Sequence, residues 1–323
     1  YQPTKPASVR ANASVTANAD GSWTLTPLRN HYGAVEFTYT LDDNQGGFIT
    51  TSSSFTIQPA ESPRLEPIVV EGSVTEDENL EYSIAAVVPP PPPRLNARGS
   101  FAFWDRNPGD LVRVSDVQLI SATGSPGVTV TNTLLASLGD VNNTFRLSGD
   151  GLTSGDNSGV VQWQFSLSNE DAQMLADGES VTAIYRITLQ DDSGLTPLSR
   201  TTNSQDVRIT IHGSEDTPVI TVGNGDLDQA SLIETNSSLT ATGVLTVTDL
   251  DLTDSVSASV QAVAKSGATA GLTSSDAQLL AMFGIAPSYP ANILSNTEVV
   301  DKLSWAFNSG PEAFNHLAQG EQL

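Results

Sequence analysis

The side chains of this chain that could do chemistry are its carboxylates, and they fall at set spacings. Asp249-x-Asp251 places two of them on the same side of an extended segment, because alternate strand residues face the same way. Glu215 and Asp216 stand ahead of them in a proline-closed stretch, and Glu234 lies between the two sets. A hard cation such as Ca2+ takes about six to eight oxygens at roughly 2.3–2.6 Å. These five residues are therefore predicted to converge on calcium. A second set, Asp105, Asn107 and Asp110 with Glu76 or Asp77, is predicted upstream, and Asp191 and Asp192 are placed near a domain end. The competing reading is that aspartate sits in turns because its side chain bonds its own backbone. For Asp42, Asp43, Asp191 and Asp192 both readings stay open.

Other chemistries find little support. His31, His212 and His316 are far apart, and none sits in a metal-ligand pair or beside a nucleophile. No Gly-x-Ser-x-Gly elbow, phosphate-cradling glycine loop or His-Glu-x-x-His occurs. Paired carboxylates alone leave a glycosidase arithmetically possible, but four tryptophans spread along the chain do not outline a sugar cleft. An enzyme is not expected. Gly223-Asn-Gly225-Asp226-Leu227-Asp228 resembles half of a glycine-rich calcium nonapeptide, yet one copy cannot stack, so it reads as a turn.

Charge narrows the partners. Fourteen Lys and Arg against 37 Asp and Glu leave a formal charge of −23, the wrong sign for displacing counterions from nucleic acid. There is no cysteine, hence neither a disulfide framework nor a thiolate zinc site. The longest apolar runs, such as Ile84-Ala-Ala-Val-Val88, are too short for a membrane span, and Tyr1 opens no signal peptide. No membrane insertion is expected, and the chain is expected to be monomeric.

The elements that must position these acids are written twice. Trp163-x-Phe165, Glu170 and Leu175-Ala176-x-Gly178-Glu179 return about 142 residues later as Trp305-x-Phe307, Glu312 and Leu317-Ala318-x-Gly320-Glu321. Upstream, Gly99, Asp105 and Asp110 return as Gly243, Asp249 and Asp254, and Leu134-Leu135-Ala136-x-x-Gly139 as Leu279-Leu280-Ala281-x-x-Gly284. So long a period means whole domains in a row. Period-2 alternation at Trp23–Thr26, Phe37–Leu41, Phe55–Ile57, Val160–Leu167, Tyr185–Leu189, Val207–Ile211 and Val244–Val247 predicts half-buried strands between polar Gly/Asp turns. Short helices are predicted over 169–176 and 275–283, with their Met and Phe residues in the core. The fold class is all-β: tandem Ig-like or cadherin-like β-sandwiches with short helical turns.

Two linkers, Ile57-Gln-Pro-Ala-Glu61-Ser-Pro63 and Ile211-His-Gly-Ser-Glu215-Asp216-Thr-Pro218, share one plan: a last strand, an acid, then proline. They divide the chain into 1–62, the closing part of a cadherin-like sandwich; 63–217, a complete repeat; and 218–323, a repeat expected to continue past Leu323. The five prolines of 89–93 are predicted to be an extended polyproline II insertion in the middle repeat.

The middle and last repeats resemble the VCBS-type and cadherin-like repeats of large bacterial RTX-type surface adhesins. The resemblance rests on Val74-Thr-Glu76-Asp77, Phe103-Trp-Asp105-x-Asn107-Pro-Gly-Asp110, Trp163-x-Phe165, Asp191-Asp192-Ser193-Gly194 and the exit Ile209-Thr-Ile211-x-Gly213-Ser-Glu215-Asp216-Thr-Pro218. The first segment is similar to the end of such a repeat through Asp20-Gly-Ser-Trp23 and Thr40-Leu41-x-Asp43. The family implies secretion to the surface of a Gram-negative cell, an extender role in adhesion or biofilm, stiffening by calcium, and contacts with neighbouring repeats. Where the family has Asn-Asp-Ala-Pro, this chain has Glu215-Asp216-Thr-Pro218 and Glu61-Ser-Pro63, so the first linker keeps a single acid. The alternative is a ligand-binding module taking a host or matrix glycan, or a peptide, through Trp104 and the proline loop.

Overall fold

The computed structural model describes residues 13–20, 22–27, 33–57, 62–66, 68–83, 88–106, 111–148, 158–191 and 202–323. Two antiparallel hairpins come first. β1 (Ala13–Ala17) pairs with β2 (Trp23–Pro27), and β3 (Gly33–Asp42) with β4 (Phe48–Ile57).

A two-sheet sandwich follows. Its strands are β5 (Arg64–Leu65), β6 (Val70–Thr75), β7 (Arg94–Trp104), β8 (Arg113–Gly124), β9 (Phe145–Ser148), β10 (Ser158–Ser168), β11 (Ser180–Gln190) and β12 (Thr202–His212). One sheet runs β5-β7-β10-β9 and the other β6-β12-β11-β8. Alternation puts Leu95, Phe101, Phe103, Trp163, Phe165, Tyr185, Ile209 and Ile211 into one core between them. Two helices, α1 (Asn132–Gly139) and α2 (Val141–Thr144), cover one side; Thr131 caps α1, accepting from the Leu134 N–H over 3.2 Å.

The C-terminal part has β13 (Val219–Thr221), β14 (Thr240–Thr248), α3 (Asp276–Ala281), β15 (Phe283–Ala286) and β16 (Val300–Asn308), with one sheet in the order β13-β14-β16-β15. Its core is a separate, smaller cluster of Val247, Ile293, Leu294 and Leu303.

Architecture is all-β with short helical pieces, as the alternation predicted. The pieces differ in detail. Over 169–176 only Asn169–Asp171 winds, as one 3-10 turn, because the chain must bend back at Gly178, where φ is +82°. α3 is capped by a Ser275–Gln278 box and ends at Met282, and Phe283 opens β15 instead of closing the helix. Phe283 is also 37 % exposed, so it is not the core residue that the sequence suggested.

Trp163 and Trp305 are buried where the repeat places them. Each indole lies flat over a glycine on the neighbouring strand: Gly99 pairs with Trp163 and Gly243 with Trp305. A Cβ at either glycine would come within 2.3 Å of the ring. That close approach explains why glycine recurs with the tryptophan. Trp104, by contrast, is 37 % exposed.

A candidate cation site where the sandwich meets the C-terminal unit

The downstream pole of the sandwich is built by a parallel pairing. β6 runs beside β12 with Thr75 opposite His212, and the Glu76 N–H continues the ladder to the His212 carbonyl at 3.0 Å. Glu76 is thereby brought to the exit of the last strand. Its Oε1 accepts the Ser214 N–H at 2.8 Å, its Oε2 accepts from Gln173 at 3.3 Å, and the residue is fully buried. Asp77, at φ +57°, exchanges bonds with Asn169: its N–H donates to Oδ1 of Asn169 (2.9 Å) and its Oδ1 accepts from Nδ2 (2.6 Å).

From the other side come Asp249, just past β14, and the loop after it. Oδ1 of Asp249 accepts the Asp251 N–H at 3.3 Å, and Oδ2 of Asp251 accepts the Asp216 N–H at 2.8 Å. Carboxylate oxygens of Glu215, Asp251 and Asp254 lie within 4.8 Å of one another. Two further ties cross the joint: the Thr253 hydroxyl donates to Oε1 of Glu179 (2.8 Å), and the Leu252 N–H to the Met174 carbonyl (3.3 Å).

Electrostatically this is an unfavourable gathering of like charge. Burial first, then Asp216, Asp251 and Asp77 nearby, push Glu76 up to about 8 despite the Ser214 N–H. Burial, with Asp216, Asp254 and Asp249, lifts Asp251 to about 6, and burial with Asp77, Asp249 and Glu215 raises Asp216. Among the described residues, every charged group acting on these three is a carboxylate. Oδ2 of Asp216 and Oδ1 of Asp251 are buried without a donor, a costly state unless something supplies positive charge.

The spacing thus brought Glu215, Asp216, Asp249 and Asp251 together, but grouped three other acids wrongly. Glu76 and Asp77 belong to this downstream pole and not to the upstream one, because β6 is parallel to β12. Glu234 is not here at all. It precedes β14, a strand of nine residues that at roughly 3.3 Å per residue separates it from Asp249 by about 30 Å. There its Oε1 accepts the Asn236 N–H at 2.7 Å. Asp254 and Glu179 were missed as site residues, although both sit in the repeated blocks.

Asp105 and Asp191 are buried at the upstream pole, where Trp104 pairs with Arg64 and Gln190 with Arg113. Asn107, Asp110 and Asp192 lie outside the described residues. Asp42 and Asp43 behave as turn residues: Oδ1 of Asp42 accepts from the Asn44 N–H, and Oδ1 of Asp43 from those of Gln45 and Gly47. In the glycine-rich turn, Asp226 accepts from Lys302, Thr246 and the Gly223 N–H, which hold its carboxyl down at about 2.

Residues 5–58 match a family model described as a cadherin-like domain. That match is to the cadherin-like class and covers the first segment only. No curated protein matches the sequence. Among solved structures, mouse protocadherin-24 EC1-3 is similar at 14% identity and TM-score 0.26, over 77% of this chain and 70% of that one. The zebrafish RET cadherin-like domains 1 to 4 give 12%, 0.25, 93% and 56%. The human desmocollin-1 ectodomain gives 11%, 0.24, 92% and 44%. No described helix is long and apolar enough to cross a membrane.

Proposed function

We propose that this chain is a non-enzymatic stretch of an extracellular rod, in which tandem β-sandwiches are locked end to end by calcium and hold an adhesive part away from a surface. The observation that carries the reading is the convergence of carboxylates from three segments on one joint, two of their oxygens buried without a donor. Glu76, Glu215, Asp216, Asp249, Asp251 and Asp254 would hold the ion. An all-oxygen donor set without His or Cys suits calcium better than zinc or copper. The bound cation supplies the positive charge that buried carboxylates otherwise lack. The chain's own residues do the positioning: Ser214 and Asp216 amides aim Glu76 and Asp251, and Thr253 clasps Glu179 across the joint.

With this goes the division into units 1–62, 63–217 and 218–323, each linker being one joint of the rod. The repeated blocks support a finer assignment to VCBS-type and cadherin-like repeats of an RTX-type adhesin, secreted to a Gram-negative surface and serving adhesion or biofilm. The glycan- or peptide-binding alternative has one exposed indole, Trp104, in its favour; a glycan-array signal abolished by Trp104→Ala would support it.

Calorimetric titration of the full chain with Ca2+ tests the rod. At least one site should vanish in the Asp249→Ala/Asp251→Ala double variant, and scattering should show a longer particle with calcium than with chelator. No heat and an unaltered scattering curve would sink the reading.

A further inference from the structure

The two sheets of the sandwich treat their outward arginines differently. In β6-β12-β11-β8 a carboxylate stands on the neighbouring strand. Arg186 takes Asp206 fork to fork through two N–H···O bonds of 2.8 Å, and Arg208 lies 3.7 Å from Glu71. In the other sheet the cross-strand neighbours are neutral. The register sets Arg98, Gln164 and Arg146 in one row across β7, β10 and β9, and Ser100, Gln162 and Ser148 in the next. Arg94, Asn96 and Ser166 continue the same outward face, because alternate residues share a side. No residue in this block is acidic or apolar.

Its guanidinium groups are held by neutral acceptors. Nε of Arg94 donates to Oγ of Ser166 at 2.7 Å and its Nη2 to the Ser166 carbonyl at 2.6 Å. Nε of Arg146 donates to the Asn142 carbonyl at 3.1 Å and its Nη2 to Oδ1 of Asn143 at 3.4 Å. Among the described residues only Arg98 meets an acid, Glu81 at the margin of β7, 3.4 Å away with both side chains mostly exposed. Such an exposed pair is weak. Positive charge is thus oriented but little neutralised, on a chain whose formal charge is −23.

Packing does not call for these arginines. In the C-terminal unit the inward Gly99, Trp163 and Phe145 recur as Gly243, Trp305 and Phe283 in the same register. The outward row that answers to Arg98, Gln164 and Arg146 is there Thr242, Ala306 and Gly284. The same strands stand equally well with small uncharged residues outside.

We propose that this outer face binds a carboxylated polysaccharide, a polymer of uronic acid rings laid along β7. The opposite sheet shows what an arginine at such a position takes, a carboxylate, and here it has to come from outside. Arg94 and Arg98 are four residues apart, roughly 13 Å, and Arg98 and Arg146 two strands apart, about 10 Å. That spacing suits charges carried one to a ring better than the dense phosphates of nucleic acid. The amides and hydroxyls between the arginines match ring hydroxyls, whereas a protein partner would find no apolar centre to bury. At the upstream end of β7 the exposed indole of Trp104 offers a face on which a sugar ring stacks. The inference rests on the glycan-binding alternative, to which it gives a chemical class, and not on calcium at the joint.

Binding of the full chain to polygalacturonate, read by biolayer interferometry in chelator so that no cation bridges the two, tests this. Affinity should fall with added salt. Arg98→Gln and Arg146→Gln should each weaken it about tenfold, and both together about a hundredfold. Glu81→Gln should tighten it severalfold by releasing Arg98, a gain that a misfolded variant cannot give. Arg208→Gln, which removes the same charge from the opposite sheet, should bind as the parent does. No binding, equal losses from Arg98→Gln and Arg208→Gln, or tighter binding of polyglutamate or single-stranded DNA at the same salt would overturn the proposal. Equal binding of the fully methyl-esterified polymer would overturn it too, while leaving a module for neutral glycans that Trp104→Ala should abolish.

Discussion

The Asp216 N–H donates to Oδ2 of Asp251 across 2.8 Å, so the linker is fastened to the C-terminal unit through a carboxylate whose other oxygen is buried without a donor. One side chain therefore holds the joint by a hydrogen bond and strains it by its charge. An asparagine there can keep the acceptor and drop the charge, which separates the two effects.

Asp251→Asn should melt no lower than the parent in chelator, because the repulsion from Asp216, Asp249 and Asp254 is relieved. With calcium the order should reverse. A hundredfold excess over Kd stabilises the parent by about 2.7 kcal/mol, which at roughly 2–4 °C per kcal/mol is a rise of about 5–11 °C. The variant should lose most of that rise. Scanning calorimetry with and without chelator reads both, and an undiminished calcium shift in the variant would count against the site.

Stability should also depend on pH in an unusual direction. Glu76 near 8 and Asp251 near 6 lie above their ordinary values of 4.5 and 3.8, so the folded chain binds protons more tightly than the unfolded one. Between those limits the metal-free fold loses stability as pH rises. Melting in chelator should fall from about pH 5 to about pH 8, and saturating calcium should flatten the fall by displacing the protons. Titrations near pH 6 in buffers of different ionisation heat should report proton release. A metal-free melting point that rises over this range would contradict the gathered charge.

Strand alternation and the repeat made the all-β fold legible, since a period of two and a doubled Trp-x-Phe block leave few architectures. The site was half legible. Asp249-x-Asp251 and Glu215-Asp216 are local patterns, close in sequence to the joint they serve. Glu76 reaches it only through the parallel β6–β12 pairing, a contact across 138 residues that spacing cannot announce. Glu234 misled because it repeats Glu76 at the far end of its own unit, where an acid ahead of β14 looks adjacent in sequence to Asp249. Glu179 and Asp254 carried a usable signal, their recurrence as Glu321 and Asp110.

The Gly–Trp pairs predict a large effect from one methyl group. Gly99→Ala would drive a Cβ to 2.3 Å from Trp163, whose ring is held against Phe145. Overpacking of this kind costs about 1–3 kcal/mol. Gly243→Ala meets Trp305 and the Leu227 carbonyl at 2.3 Å each, and should lower only the melting of the C-terminal unit. Gly139→Ala, whose Cβ meets nothing within 4 Å, serves as a neutral control. Equal behaviour of all three in thermal unfolding would refute the packing account.

Tyr185 ties the two sheets to the helical cover. Its ring is fully buried and stacks on Phe145, while its hydroxyl donates to the Leu138 carbonyl at the end of α1 over 3.0 Å. Burial pushes the phenol well above its usual range. Tyr185→Phe keeps the ring and withdraws the donor, so it should cost about 1–2 kcal/mol. Tyr185→Ala also empties the stack and should cost about 3–5 kcal/mol. Neither should alter the calcium shift, because mid-strand β11 lies away from the joint. In an alkaline ultraviolet titration the Tyr185 phenolate should emerge only as the sandwich unfolds. Phenolate signal from all six tyrosines in a chain that is still folded would show that this ring is not sealed in the core.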